Sequence, residues 1–126
     1  MKRISALLGV AMFLFSSVCV AEGRTARYSG DYLLQVCSFD EDGHEIIKGG
    51  HIACQGYIAG VMDYHNLISS LGTAPSVDFC VPAGTSLREV QLKIYKYIKE
   101  NHHEQGPFNA APGVALGLFK AYPCKK

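Results

Sequence analysis

The sequence predicts an all-α fold, a small disulfide-stapled bundle of about four helices. Three observations carry that reading. Apolar residues recur at the three-and-four spacing of helices over several stretches, and no stretch alternates as a strand does. The chain opens on a segment with the pattern of an export signal. Behind it stand four cysteines in a domain near 100 residues, the cysteine usage of exported, disulfide-braced proteins.

Residues 1–21 read as a secretory signal peptide, removed after Ala21. Lys2 and Arg3 supply its positive start, Ile4 to Phe15 its apolar run, and Cys19 and Ala21 the small residues before the cut. A retained anchor helix is the rival reading, but the run is short for a bilayer. Lipidation at Cys19 is another, and Val18 before it is bulkier than such signals prefer. The rest, 22–126, is long enough for one domain with a modest core. Without Lys2 and Arg3, 10 basic residues face 11 acidic ones, so composition gives no reason to expect nucleic acid or an anionic membrane as partner.

After a polar lead-in, Ser29 or Asp31 can cap a short helix through Cys37 that buries Leu33, Leu34 and Cys37. So short a helix is marginal alone and needs a tether. Residues 38–50 form a loop holding Asp40, Glu41, Asp42 and Glu45, four of the 11 acids. The longest helix runs from His51 to about Ser70, with Cys54, Tyr57, Ile58, Val61, Met62, His65 and Ile68 on one buried stripe. Gly56 and Gly60, four apart, predict a close helix crossing. Residues 71–84 connect, with Phe79 and Val81 pinning Cys80 to the core. Ser86 and Glu89 form a capping box for the next helix, whose buried stripe is Leu87, Val90, Ile94, Tyr97 and Ile98. Arg88, Leu92, Tyr95, Lys96 and Lys99 fall on its outer side, and Gly106-Pro107 ends it. Asn109 caps the last helix, which stops before Pro123; Ala110, Ala111, Val114, Leu118, Ala121 and Tyr122 face one way, Leu116 and Phe119 another.

Catalytic equipment is missing from this inventory. No P-loop, G-x-S-x-G or H-E-x-x-H occurs. His65 reads as a core-edge histidine with one hydrogen bond, and His102 and His103, being adjacent, point apart. Pairing of all four cysteines removes the free thiolate that Cys–His catalysis needs. A zinc site is disfavoured because no two cysteines have the close spacing of such sites, and the acidic run lacks the ligand spacing of a calcium loop. The reading is a binding module, not an enzyme, without cofactor or metal.

Four segments occur in order: GDYLLQVC (30–37), CQGYIAGVMD (54–63), CVPAGTSLREV (80–90) and ALGLFKAYPC (115–124). Together they resemble the Rap/Tai family of type VI secretion immunity proteins over nearly all of 29–124. The last helix departs from that pattern at Pro112, Gly113 and Gly117. The resemblance implies a periplasmic, all-helical antidote that binds a peptidoglycan amidase effector and blocks its active site, commonly as a homodimer. Other classes to weigh are a small periplasmic disulfide-bonded chaperone or stress protein and a structural subunit of an envelope complex.

Of the three possible connectivities, Cys37–Cys54 with Cys80–Cys124 is expected, because it ties the short first helix, which has few other anchors, to the long one. The homodimer is expected to use Leu92, Tyr95, Leu116 and Phe119, which lie outside their helices' stripes. The loop 38–48, with Asp40, Glu41, Asp42 and His44, is expected to contact the effector, and the basic helix face with Arg88, Tyr95, Lys96 and Lys99 is the rival surface.

Overall fold

The computed structural model describes residues 28–125. The expected signal peptide 1–21 and all but the last residue of the polar lead-in 22–28 lie outside the described residues. Five helices follow one another: α1 (Gly30–Cys37), α2 (Gly50–Ser70), α3 (Leu87–Glu100), α4 (His102–Gln105) and α5 (Ala110–Ala121). Among the described residues there is no strand, only the isolated bridges Ser29–Asn109, Phe39–Glu45 and Phe79–Pro123. The architecture is the expected all-α bundle. Its fifth element, α4, is a single turn where α3 was expected to run on, and Asn101 separates the two. None of these helices is long and apolar enough to cross a membrane.

The helix starts follow their sequence signals. Ser29 Oγ accepts from the Tyr32 amide (3.1 Å), Ser86 Oγ from the Glu89 amide (3.2 Å) and Asn109 Oδ1 from the Ala111 amide (3.2 Å). Only half of the capping box forms. The Glu89 carboxylate does not reach back but accepts from Lys93 Nζ (2.9 Å) and the Tyr122 hydroxyl (3.4 Å), tying α3 to the end of α5. Pro112 sits in the first turn of α5, where a missing N–H leaves no intrahelical bond unmade.

The core gathers one stripe from each long helix: Leu33 and Val36 from α1, Ile58 from α2, Val90, Ile94 and Ile98 from α3, Val114 and Leu118 from α5, closed by Phe79 and Tyr122. Leu87, expected on that stripe, is exposed instead, and the fully buried Gln91 takes a place on it. Both disulfides have the expected connectivity, Cys37–Cys54 and Cys80–Cys124, closing separations of 17 and 44 residues. By chain entropy they contribute roughly 3 and 4 kcal/mol.

α1 is not the weakly anchored helix expected from its length. The Gly30 and Asp31 amides, free at a helix start, donate to the Phe108 and Gly106 carbonyls (both 2.9 Å). Asp31 Oδ1 also pairs with His102 Nε2 of α4 (2.6 Å). At the other end, Gln91 Nε2 donates to the Cys37 carbonyl (3.1 Å). With both ends held by tertiary bonds, α1 does not depend on its disulfide alone.

The glycines also act in different places from those expected. Gly56 and Gly60 point outward, opposite Cys54, Ile58 and His65, and no atom stands within 4 Å of a Cβ added at either. Among the described residues no helix crosses there. Close approach occurs instead where α5 meets α3: a Cβ on Gly117 would lie 2.8 Å from Ile94 Cδ1 and 3.1 Å from the Tyr97 ring. Thus Gly113 and Gly117 fit the helix seam. Gly50 lets the first turn of α2 sit on α1, since a Cβ there would be 2.7 Å from the Val36 carbonyl oxygen. At Gly30 a Cβ would run into the Gln105 carbonyl.

These contacts rank the glycines. Gly30→Ala and Gly50→Ala are expected to lower the unfolding free energy by about 1–3 kcal/mol each, because backbone atoms must shift. Gly56→Ala is expected to leave it unchanged or raise it by up to about 1 kcal/mol through helix propensity. Urea titrations followed by circular dichroism measure all three, and a Gly56→Ala variant weaker than Gly50→Ala contradicts the assignment.

Candidate functional site

The loop 38–48 leaves α1 at Cys37 and enters α2 near Gly50, and the Cys37–Cys54 bridge holds its ends together. Its acids divide into two groups. Asp40 shapes the tip: its Oδ1 accepts from the Asp42 amide (3.0 Å) and the His44 amide (2.8 Å), while its own amide donates to the His44 carbonyl (2.9 Å). Gly43 supplies the left-handed residue of this turn, at φ +83°. Glu45 shapes the exit. Gly49 has no side chain with which to cap α2, so Glu45 does so from a distance, accepting from the Gly49 amide (2.8 Å) and the His51 amide (3.2 Å). The amide bond from His44 holds the Asp40 carboxyl below its ordinary range, and the bonds from Gly49 and then His51 do the same for Glu45.

The loop is pinned to α3 by Arg88. Arg88 Nη2 donates to the Gly43 carbonyl (2.8 Å), and the guanidinium lies 5.3 Å from the centre of the Phe39 ring. His51 Nε2 lies 3.2 Å from the Ser38 carbonyl and donates to it, which leaves Nδ1 to accept from Arg88 Nη1 (3.2 Å). Phe39 packs against Tyr95 at 5.2 Å between ring centres. Arg88 and Tyr95, both read from sequence as outer-side residues, are therefore half-buried parts of the loop's seat. What remains of the rival basic face is Lys96, 3.8 Å from Glu100, and Lys99, over the Tyr95 ring.

Of the four loop residues expected to meet a partner, Glu41, Asp42 and His44 are exposed and presented, while one oxygen of Asp40 is engaged in the turn. Asp40, Asp42 and His44 converge, with ligand-type atoms within 4.8 Å of one another. They are the described residues that come closest to a cation-binding set, and the bonds that gather them are the turn's own. Leu92 and Tyr95 border the loop, lining a cleft with Phe39, Lys96, Lys99 and Glu100. Leu116 and Phe119 do not line it. Of the four residues expected at a dimer contact, Leu92 and Tyr95 stand on α3 and Leu116 and Phe119 on α5.

His65 is the one buried histidine among the described residues. Its ring stacks on Phe79 at 3.9 Å and its Nε2 meets Asp78 Oδ1 at 2.9 Å. It binds α2 to the 71–84 connection with the single hydrogen bond expected for it; Nδ1 is buried without a partner.

Fold and loop together define a disulfide-braced α-helical scaffold that holds out one preorganised acidic loop. The chain belongs to the Rap1a immunity proteins, whose family model matches residues 29–124. It is accordingly an immunity protein for a secreted effector. Comparison with curated proteins and with solved structures gives no match. The matched span contains all four paired cysteines, all five helices and the acidic loop.

Two predictions follow from the loop's construction. Carboxyls held below their ordinary range stabilise the folded loop above that range and lose this contribution as pH falls through it. The protection of the Asp42, His44, Gly49 and His51 amides, relative to their intrinsic exchange rates, should therefore fall between about pH 5 and pH 2, ahead of that of amides in α3. Arg88→Ala should quicken exchange of the Asp42 and His44 amides at neutral pH while leaving the overall unfolding free energy within about 1–2 kcal/mol of wild type. Unchanged exchange in that variant means the loop holds its shape without Arg88.

Proposed function

We propose that the protein is a periplasmic antidote that binds a peptidoglycan amidase delivered by type VI secretion and blocks its active site. It is exported, loses its signal peptide after Ala21 and acts as a homodimer. The amidase target, the compartment and the dimer rest on the resemblance of the four ordered segments between 30 and 124. The observation that carries the choice of surface is the loop 38–48, whose free carboxylates Glu41 and Asp42 stand exposed on a turn fixed by Asp40, Arg88 and the Cys37–Cys54 bridge.

The physical argument concerns entropy and charge. A loop already held in one shape loses less freedom on binding than a mobile one. Glu41 and Asp42 present negative charge to a basic rim around an effector's cleft, which speeds encounter. His44 adds a group that can donate or accept at the same tip. Asp40 and Glu45 serve this surface indirectly, through the backbone they hold.

Capture from the cell's own exported proteins by the immobilised protein tests the reading, and amidase activity in the captured fraction identifies the partner. Glu41→Lys with Asp42→Lys is expected to slow association with that amidase about tenfold or more at low salt, with a smaller effect at high salt. Lys96→Glu with Lys99→Glu is expected to change it little. The reverse ranking moves the contact to the basic face of α3, and capture of denatured clients of every kind marks a chaperone instead.

A further inference from the structure

A helix on the surface of a globular protein ordinarily sets charged residues opposite its core face. α3 does so with Lys93, Lys96, Lys99 and Glu100. α2 does not. Asp63 is its one Asp, Glu, Lys or Arg across 21 positions. Opposite Cys54, Ile58 and His65 run Ile52, Gly56, Gly60, Tyr64, Leu67 and Leu71, spaced by three or four residues. Ile52 is 80% exposed, Tyr64 64%, Leu67 52% and Leu71 72%. The two glycines between them weaken the helix, and nothing among the described residues approaches closely enough to use them.

We propose that this face is the docking surface for a second copy of the chain, with two α2 helices crossing antiparallel about a two-fold axis at Gly60. The inference rests on the reading of the protein as a homodimer and assigns its interface. Its main support is self-complementarity. Under a two-fold axis each contact is made twice, residue i to j and j to i. With the axis at Gly60, Tyr64 falls on the partner's Gly56, Leu67 on the partner's Ala53 beside the partner's Ile52, and Leu71 near the partner's Gly49. A large side chain meets a small residue at each step, and the two Gly60 positions allow the backbones to approach at the centre. A parallel pairing would set Asp63 against its own copy, whereas the antiparallel one keeps the two carboxylates apart along the helices.

The area is of the size required. The exposed parts of Ile52, Tyr64, Leu67 and Leu71 amount to roughly 500 Å² per chain, at the upper end of what a monomer ordinarily leaves as one apolar patch. Doubled across the axis, and joined by the strip of Ala53, Gly56, Ala59 and Gly60, it reaches the ~1,000 Å² that a specific interface needs. Charge also points to a second copy rather than to a steered partner, because this face is nearly neutral while the acidic loop is not. Leu92, Tyr95, Leu116 and Phe119 are then not the dimer contact.

Sedimentation velocity of the purified exported protein over the micromolar range tests the assignment, with Tyr64→Arg, Gly60→Arg and Leu92→Glu alongside. These positions are exposed, and circular dichroism and the unfolding midpoint check that each variant remains folded. The expected result is a dimer for wild type and Leu92→Glu, and a loss of at least a hundredfold in self-affinity for the two α2 variants. Dimers in all α2 variants overturn the interface while leaving the homodimer standing, and a dimer lost only in Leu92→Glu moves it to α3. A monomeric wild type overturns the homodimer itself. If the α2 variants still dimerise but no longer capture the amidase, the face belongs to the effector and the assignment is wrong.

Discussion

Three helices are joined at one residue, and the loop begins there. The carbonyl of Cys37, at the end of α1, accepts from the buried amide of Gln91 on α3, while the sulfur of Cys37 is bonded to Cys54 on α2. Gln91 in turn accepts from Gln55 Nε2 at 2.9 Å, so its side chain spans two helices and leaves little of its hydrogen-bonding capacity unused. A buried amide or a helix-end carbonyl left without a partner costs about 1–3 kcal/mol. Here each such group meets the need of another, and the geometry that satisfies them also fixes where the chain turns out of α1. The position of the acidic loop is thus a consequence of how the core is closed.

From that junction the loop is built as a rigid projection. Covalent closure limits the separation of its ends, and Arg88 and Glu45 bind its middle and its exit to the helices. The charges are divided between upkeep and presentation: Asp40 and Glu45 spend their lone pairs on backbone amides, Glu41 and Asp42 leave theirs to solvent. A surface of this kind keeps its shape when its free carboxylates are changed. Sequence can therefore vary at the presented positions while the turn beneath them stays the same.

What could be read in the sequence was local. Ser29, Ser86 and Asn109 mark helix starts through bonds to amides two or three residues on, so their signals lie within a few letters. The stripe through Cys54, Ile58 and His65 was legible for the same reason, as was the core place of His65. Arg88 and Gln91 were missed because their roles depend on groups 45 and 54 residues away. Arg88 has the spacing of a surface residue, and Gln91 is a polar letter in a buried stripe, which periodicity counts as an exception. Gly56 and Gly60 drew attention by their four-residue spacing, yet the seam lies at Gly113 and Gly117, which share that spacing. Spacing identifies a smooth helix face; only the packing of the other helices decides which smooth face is covered. Of the loop, the concentration of acids was visible, but not that half of them serve as backbone caps.

The two disulfides are side by side along the chain rather than interlaced, the first complete at residue 54 before the second begins at 80. Each of the four cysteines among the described residues is thus joined to its neighbour in chain order. An oxidant that couples these four thiols in chain order makes the native pairs directly, and no wrong bridge has to be reopened by thiol exchange. Closing the first ring needs only α1, the loop and the first turns of α2. The loop's ends can therefore be set covalently before α3 to α5, enclosed by the second ring, have folded.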